Sequence, residues 1–323
     1  MVSFSYEKID SNASMVKDGI GRRLLLCRKD REYNVGEEQK FIIPLSRTIV
    51  AASTYMSWLC RLEECRQGTI DCCMGVLGAQ EVLWVLQDIK ARINSKKLIP
   101  IDSMHHLALL NPSIVFTYAF PRDSPRIPYL LKKIGIPYAV VDEWYESDIL
   151  KRIEWLNFIA LFIDRKQESE FVLDRVREIY SQYKHTASSS PNVLWLCDVK
   201  GQVYITGGES YVGGSIRHFG GKTLTPDEHA KGSLPSTRDW VAEKATEADI
   251  IVFTRILPTA NYILTLFPEL KESPAFKNRE VYGFGLGYWQ FGSGWPEKWI
   301  SELASILAHK NDKELQVFSR ARF

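Results

Sequence analysis

Six cysteines are the first candidates for chemistry, because four of them, Cys60, Cys65, Cys72 and Cys73, fall within fourteen residues. Their C-x4-C-x6-C-C spacing lacks the paired C-x2-C knuckles that indicate a zinc site. Cys72 and Cys73 stand in an apolar segment, residues 70–76, that predicts a buried strand, and unpaired cysteine is commonly buried. We interpret the four as small core residues. A disulfide joining Cys60 to Cys65 or Cys72 is the main alternative, and an iron–sulfur or zinc site is the remaining one.

The histidines and the known catalytic signatures add neither a metal site nor a nucleophile. His105 and His106 are adjacent, and neighbouring helical residues point about 100° apart, so the pair needs further ligands to hold a metal ion. The sequence contains no H-x-x-x-H, H-E-x-x-H or G-x-S-x-G motif and no phosphate-binding P-loop. We therefore predict no catalytic residue, no metal ligand and no cofactor.

A glycine-rich segment, residues 283–294, has the G-x-G-x-G spacing found in some nucleotide-binding turns. No helix is predicted to open at its last glycine, and aromatic residues stand where a pyrophosphate would have to lie. We interpret the segment as a mobile aromatic loop rather than a dinucleotide site.

Four carboxylates, Asp142, Glu143, Glu146 and Asp148, precede a predicted helix. Paired carboxylates can perform acid–base chemistry. Negative charge is also favourable at the start of a helix, where it faces the positive end of the helix dipole. We assign this cluster to helix capping.

Alternating strands and helices must position these residues. Buried-strand patterns at 48–53, 113–118 and 135–141 alternate with helical patterns, which predicts a parallel sheet covered by helices. The same order returns at 192–197, 249–254 and 279–283, and the Ile-Val-Phe-Thr that begins at Ile114 recurs at Ile251. Residues 147–184 between the two halves are almost unbroken helix formers. Asp164 is the predicted N-cap of their second helix, which at 166–183 would be about 27 Å long.

The predicted fold is therefore α/β, with two Rossmann-like lobes built on parallel sheets and joined by a long α-helix. Residues 1–46 form an N-terminal extension with a hairpin of strands 23–28 and 39–45. Residues 47–146 form the first lobe, 147–186 the linking helices and 187–323 the second lobe.

The composition is that of an ordinary globular protein. The 41 Lys and Arg against 39 Asp and Glu give a net charge of +2, which argues against nucleic acid or an anionic membrane as a partner. No apolar run is long enough to cross a bilayer. The first ten residues do not resemble a signal peptide, so a cytoplasmic protein and the mature part of a secreted one both stay open.

Five segments in order resemble motifs of one family: residues 48–55, 109–118, 131–138, 207–211 with 219–221, and 275–282. The family is that of substrate-binding proteins of ABC importers for siderophores, haem and corrinoids, whose two lobes are joined by one long helix. Residues 143–155 and 232–235 further resemble a branch of iron-compound binders. The resemblance implies a monomeric, non-enzymatic protein, periplasmic or membrane-anchored outside the cytoplasm, that delivers a metal chelate to an ABC permease.

The resemblance also implies a ligand cleft between the lobes, at the carboxyl ends of the parallel strands. The loops at these ends are rich in aromatic residues, which suit a macrocycle or catecholate, and in arginine, which suits a carboxylate or anionic chelate. The predicted ligand-binding residues are Ser53, Thr54, Tyr55, Tyr118, Phe120, Arg122, Trp144, Tyr145, Glu209, Ser210, Tyr211, Arg255, Tyr288, Trp289 and Trp295.

One departure from the family concerns docking on the permease. Members that dock carry a surface glutamate on each lobe, and the matching positions here hold His105 and Arg217. Ligand capture independent of an importer is therefore one alternative. A two-lobed Rossmann-like enzyme, either a glycosyltransferase or a metallocluster scaffold, is the other.

Overall fold

The structure, a computed structural model, describes residues 4–33, 35–37, 39–120, 125–310 and 314–323. The chain divides into two compact units. The first unit contains the residues up to Glu143 together with Ile153–Asp174, and the second contains Trp144–Arg152 together with Arg175–Phe323. Both units carry parallel strands and helices, which confirms the predicted α/β class.

The first unit begins with a four-stranded sheet in the order β1-β2-β3-β4. The strands are β1 (Ser5–Lys8), β2 (Ala13–Lys17), β3 (Arg23–Cys27) and β4 (Gln39–Ile42). Leu24 of β3 pairs with Gln39 of β4 and Cys27 with Ile42, so these two strands are parallel. The predicted hairpin is therefore wrong. The connection of eleven residues, 28–38, is long enough to return the chain to the start of β3, whereas a hairpin needs a short turn.

A five-stranded parallel sheet forms the rest of this unit's core, in the order β7-β6-β5-β8-β9. The interior strands β5 and β8 and the edge strand β9 are buried along their whole length, as their continuous apolar sequences require. The elements are β5 (Thr48–Val50), α1 (Ser53–Cys65), β6 (Cys73–Leu77), α2 (Gln87–Asn94), β7 (Ile99–Ile101), α3 (Met104–Leu110), β8 (Ile114–Thr117), α4 (Arg126–Lys133) and β9 (Tyr138–Val140).

Two helices, α5 (Ile149–Phe162) and α6 (Lys166–Gln182), follow, and each begins in one unit and ends in the other. Asp148 caps α5, because its Oδ1 accepts a hydrogen bond from the Lys151 NH at 2.9 Å. This confirms the capping role for one of the four carboxylates. Asp164 lies one residue before the N-cap position of α6, has a φ of +54° and pairs with Arg28, so its prediction as the N-cap is wrong.

The second unit is built on a mixed sheet in the order β13-β11-β10-β14-β15-β16, in which β10, β14 and β15 are parallel. A short strand, β12, pairs with β10. The elements are β10 (Asn192–Val199), β11 (Gln202–Thr206), α7 (Tyr211–His218), β12 (Lys222–Thr223), β13 (Ser233–Ser236), α8 (Arg238–Ala245), β14 (Ile250–Ile256), α9 (Ala260–Leu266), α10 (Pro274–Lys277), β15 (Val281–Phe284), α11 (Tyr288–Gly294), α12 (Pro296–Leu307) and β16 (Phe318–Arg320).

The glycine-rich segment is not a loop along its whole length, since α11 occupies its second half. The ring of Tyr288 stacks on Phe284, with centroids 3.4 Å apart and planes 6° apart, and the Phe291 NH donates to the Gly287 carbonyl at 2.7 Å. Burial of these aromatic faces outweighs the helix cost of a glycine, which is about 1 kcal/mol. The prediction of a mobile loop over all of 283–294 is therefore wrong.

Across the described ranges, no helix combines the length and the hydrophobicity that crossing a membrane requires.

Candidate functional site

The first predicted ligand loop opens α1, directly after β5. Ser53 is half-buried and Thr54 is buried. Tyr55 is 1% exposed, and its hydroxyl lies 3.1 Å from the Val141 carbonyl and 3.4 Å from Glu143 Oε2. Burial and the nearby carboxylate of Glu143 raise the pKa of the Tyr55 hydroxyl. Through the hydrogen bond to Val141, Tyr55 therefore links the start of α1, directly after β5, to the end of β9 inside the first unit.

The loop after β8 presents its aromatic residues differently. Phe120 is 62% exposed, which is unusual for so large an apolar side chain. Tyr118 is half-buried, and that burial raises the pKa of its hydroxyl. Arg122 lies outside the described residues. Phe120 is thus the most accessible described member of the predicted set in this unit.

In the second unit, the turn at residues 207–211 packs closely against residues 228–230. A Cβ on Gly207 would lie 2.3 Å from the Ala230 carbonyl oxygen, and a Cβ on Gly208 would lie 2.4 Å from that of Glu228. Ser210 is buried and caps α7, because its Oγ accepts from the Gly213 NH at 3.0 Å. The half-buried Glu209 has its Oε1 3.4 Å from His229 Nδ1. No pattern in the sequence had indicated that residues 228–230 contact the turn at 207–211.

Trp144 and Tyr145 lie near the entry to β13. Their rings meet edge to face, with centroids 5.3 Å apart. A side chain at Gly232 would lie 3.6 Å from the Trp144 ring and 3.7 Å from the Tyr145 ring. Both aromatic residues are half-buried. The structure thus brings Trp144 and Tyr145 of the segment 143–155 next to Gly232 of the segment 232–235, the two segments that had marked the branch resemblance.

Arg255 and Trp289 are the accessible predicted residues beyond β14 and β15. The Arg255 guanidinium lies 3.9 Å above the Tyr262 ring centre, and its Nη1 donates to the Tyr262 hydroxyl at 2.7 Å. Trp289 is 44% exposed and meets Phe284 edge to face. Stacking on Tyr262 holds the arginine in place while its side chain stays exposed.

Three further exposed apolar residues lie close, in the fold or along the chain, to Phe284, which the Trp289 ring contacts. Ile256 pairs with Phe284 across the strands, and the Leu257 NH donates to the Phe284 carbonyl at 2.8 Å. Leu286 follows two residues after β15. Between 41% and 47% of each of these side chains is exposed. We call Ile256, Leu257, Leu286 and Trp289 the Trp289 patch; sequence analysis missed its aliphatic members because they follow no period.

Two predicted tyrosines are tied to buried groups instead. Tyr288 is 2% exposed, and its hydroxyl accepts a hydrogen bond from Trp299 Nε1 at 3.2 Å. Tyr211 carries the guanidinium of buried Arg152 4.5 Å from its ring centre. Arg152 also donates to the Ser293 hydroxyl at 3.2 Å. Burial raises the pKa of Tyr288. Arg152, which belongs to the segment 143–155 of the branch resemblance but not to the predicted ligand-binding residues, is thus the buried cation beside Tyr211.

Trp295 is half-buried at the end of α11, where its ring lies 5.7 Å from that of Phe291. The two positions that match docking glutamates are both exposed, with His105 on α3 and Arg217 on α7. Arg217 Nη1 donates to the Gly208 carbonyl at 3.3 Å.

The six cysteines are all free thiols, so the disulfide alternative is not supported. Burial raises the pKa of Cys60 and Cys73 to about 12 and that of Cys72 to about 11. Among the residues that the structure describes, no three His, Cys, Asp or Glu side chains come together as a metal site would need. Cys73 is buried and Cys60 and Cys72 are half-buried, which fits the interpretation as small core residues, but Cys65 is exposed, so the interpretation is wrong for that residue.

Comparison with known proteins identifies the fold. No family model matches the chain. It is 26% identical over 309 residues to an uncharacterized lipoprotein of Methanocaldococcus jannaschii, covering 90% of this chain and 73% of that protein. A periplasmic heme-binding protein from Pseudomonas aeruginosa superposes with a TM-score of 0.65 at 13% identity, over 86% of this chain and 98% of its own. The petrobactin-binding protein of Bacillus subtilis gives 0.60 at 15% identity, over 96% and 99%.

These likenesses show a periplasmic binding-protein fold. They confirm, at the level of fold, the resemblance to substrate-binding proteins of ABC importers that the five sequence segments carry.

Proposed function

We propose that this protein is a non-enzymatic binding protein that captures a metal chelate outside the cytoplasm and delivers it to an ABC permease. The chelate would be a ferric siderophore, haem or a corrinoid. The fold supports this, as do the solved proteins named for heme and petrobactin and the relative named a lipoprotein. A ligand face between the lobes stays a prediction.

The observation that carries the proposal is the Trp289 patch beside Arg255. Large apolar side chains that stay exposed together are characteristic of a binding surface. Arg255 lies one residue before Ile256, so a fixed cation borders the apolar surface. A ligand with a flat apolar body and anionic groups at its edge matches both features, because the ring faces would contact the patch and the anions the guanidinium.

Importer-independent capture is the second candidate, and one observation favours it. The exposed side chain at Arg217 is a cation, whereas the resemblance leads us to expect a glutamate there. A permease and an ATPase encoded beside this gene would support delivery to an importer. Isolated occurrence of the gene would support independent capture.

The experiment is a titration of the purified chain with ferric catecholate and hydroxamate siderophores, haemin and cobalamin. Tryptophan fluorescence reports binding, and calorimetry provides a readout that does not depend on Trp289. We expect one ligand to bind with submicromolar affinity. Trp289→Ala should abolish that binding, and Arg255→Gln should weaken it about tenfold, the equivalent of one charge-assisted hydrogen bond.

Tyr129→Ala is the matched control, because Tyr129 is an aromatic residue of the first unit that is 64% exposed and lies outside the predicted ligand set. It should leave affinity unchanged. If no chelate binds and a sugar nucleotide raises the melting temperature instead, the binding-protein proposal is overturned in favour of the enzyme.

A further inference from the structure

The second unit contains an open cavity of about 610 Å³ that shares no residue with the Trp289 patch. Three segments line most of it: the start of α5 at 147–150, the end of α6 with the turn after it at 180–185, and α7 at 214–218. Glu209 completes the lining. The cavity is therefore a separate place at which a small molecule could bind.

The backbone fixes these segments against one another. The His185 NH donates to the His218 carbonyl at 2.9 Å, and the Ala187 NH donates to the Phe219 carbonyl at 2.9 Å. A Cβ on Gly214 would lie 2.2 Å from the Ser147 carbonyl oxygen, so α7 packs directly on the residues before α5. The lining side chains thus extend from a rigid frame.

One wall is a flat ring pair. Tyr180 and His218 stack with centroids 3.8 Å apart and planes 10° apart. His218 Nε2 lies 3.0 Å from the Tyr180 carbonyl, which can only accept, so Nε2 carries the proton. Burial lowers the pKa of His218, which keeps its ring neutral near pH 7.

The charged side chains of the lining differ in how they are paired. Asp148 accepts the Lys151 NH at 2.9 Å and lies 3.9 Å from the Lys151 ammonium, while Glu209 lies 3.4 Å from His229. Neither Lys151 nor His229 lines the cavity. Lys184 and Arg217, in contrast, form no ion pair with any residue in the described ranges. Two cations, Lys184 and Arg217, are therefore left without a counter-ion, and beside them lies Glu209, whose partner His229 is charged only when it is protonated.

We propose that this cavity is a second binding site, for a small molecule that carries carboxylate or phosphate groups. Arg217 offers a planar fork that matches either anion, and Lys184 adds a mobile point charge. His185, which follows Lys184 in the lining, adds a polar ring. The ring pair of Tyr180 and His218 supplies a flat surface for the rest of the molecule.

The test is calorimetric titration of the full chain with inorganic phosphate and with succinate at low ionic strength, with glycerol as the neutral probe. We expect saturable binding of at least one anion and none of glycerol. Preference for phosphate indicates a phosphate-bearing ligand, and preference for succinate a carboxylate-bearing one. Arg217→Gln and Lys184→Gln should each weaken binding about tenfold, as loss of one charged hydrogen bond predicts.

Lys271→Gln is the matched control, because Lys271 is an exposed lysine of the same unit outside the lining. It should bind the anion as the unchanged protein does, and circular dichroism should show all three variants folded. The proposal is overturned if neither anion binds at about 10 mM, a concentration roughly 100 times the dissociation constant of a 0.1 mM site and therefore sufficient to saturate it. The proposal is also overturned if Arg217→Gln and Lys184→Gln bind the anion with the same affinity as the Lys271→Gln control. Binding of an acidic peptide, added as a further probe, without binding of either small anion would overturn it as well.

Discussion

The carboxylate of Asp18 accepts a hydrogen bond from the backbone NH of Val140, at 3.2 Å. Asp18 is fully buried just after β2, and Val140 is the last residue of β9, the edge strand of the five-stranded sheet. Arg22 binds the same carboxylate through two nitrogens, at 2.9 and 2.7 Å, and donates to the Tyr138 carbonyl at 2.7 Å. The N-terminal sheet thus satisfies polar groups on an edge strand that would otherwise be open.

Replacing Asp18 with asparagine should destabilise the protein strongly. The amide keeps the shape but removes the charge that Arg22 contacts, and it points an NH2 group towards other donors. Breaking a buried pair in this way costs about 3 kcal/mol, which urea denaturation monitored by circular dichroism would measure.

Asp30→Asn is the control for that measurement, because Asp30 pairs with Lys40 on the surface and its side chain is 83% exposed. Loss of a surface pair should change the free energy of unfolding by less than about 1 kcal/mol. Equal effects of the two substitutions would contradict the anchoring role of Asp18.

The parallel strands were predictable from sequence where at least four consecutive residues are buried and therefore read as continuous apolar runs, as in β8 and the first four residues of β14. The direction of β4 against β3 was not, since it depends on the path of the intervening connection rather than on either strand's composition. The helix α11 was missed for a related reason. Its glycines argue against a helix, whereas contacts made in the folded protein favour one, among them the stacking of Tyr288 on Phe284 and the hydrogen bond from Trp299 to Tyr288.

For the candidate site, sequence could identify residues that follow strands but not the direction in which their side chains point. Tyr288 and Trp289 are adjacent, yet one is 2% and the other 44% exposed. Adjacent side chains on a helix point about 100° apart, so where a helix packs on a core one of the two can be buried while the other is exposed. Tyr55 and Ser210, also predicted to bind the ligand, are likewise buried, whereas Phe120 is exposed.

This contrast gives a prediction that separates core from binding surface. Tyr288→Phe removes the hydroxyl that accepts from Trp299 Nε1 and leaves a buried donor unsatisfied. We expect the free energy of unfolding to fall by about 1–3 kcal/mol while chelate affinity stays unchanged. Trp289→Ala should do the reverse. Parallel calorimetry and urea denaturation check both, and a loss of affinity without a loss of stability in Tyr288→Phe would place its hydroxyl at the ligand.

Thiol reactivity should follow burial among the cysteines. Cys65 is exposed, whereas burial raises the pKa of Cys60 and Cys73 to about 12, which suppresses their thiolate forms near pH 8. Iodoacetamide followed by mass spectrometry should therefore label Cys65 first, and Cys60 and Cys73 only after unfolding. Cys65→Ser should remove the fast reaction. Fast labelling of Cys73 in the native protein would show that β6 opens readily.

A buried carboxylate holds the last strand of the second unit. Glu302 on α12 accepts hydrogen bonds from the backbone NH groups of Gln316, Val317 and Phe318, each at 2.9 Å. Burial nevertheless raises the pKa of Glu302, because desolvation of the charged form outweighs these hydrogen bonds. The folded state therefore binds this proton more tightly than the unfolded state does.

The contribution of Glu302 to stability should thus be fully present below its unfolded pKa, which is 4.5, and should decline as pH rises through the folded value. Glu302→Gln cannot titrate, so the difference in unfolding free energy between the unchanged protein and this variant isolates that decline. We expect urea denaturation from pH 4 upwards to show that the unchanged protein loses stability relative to Glu302→Gln as pH increases. If the difference moves the other way, the three NH groups lower the pKa more than burial raises it, and ionised Glu302 stabilises the strand.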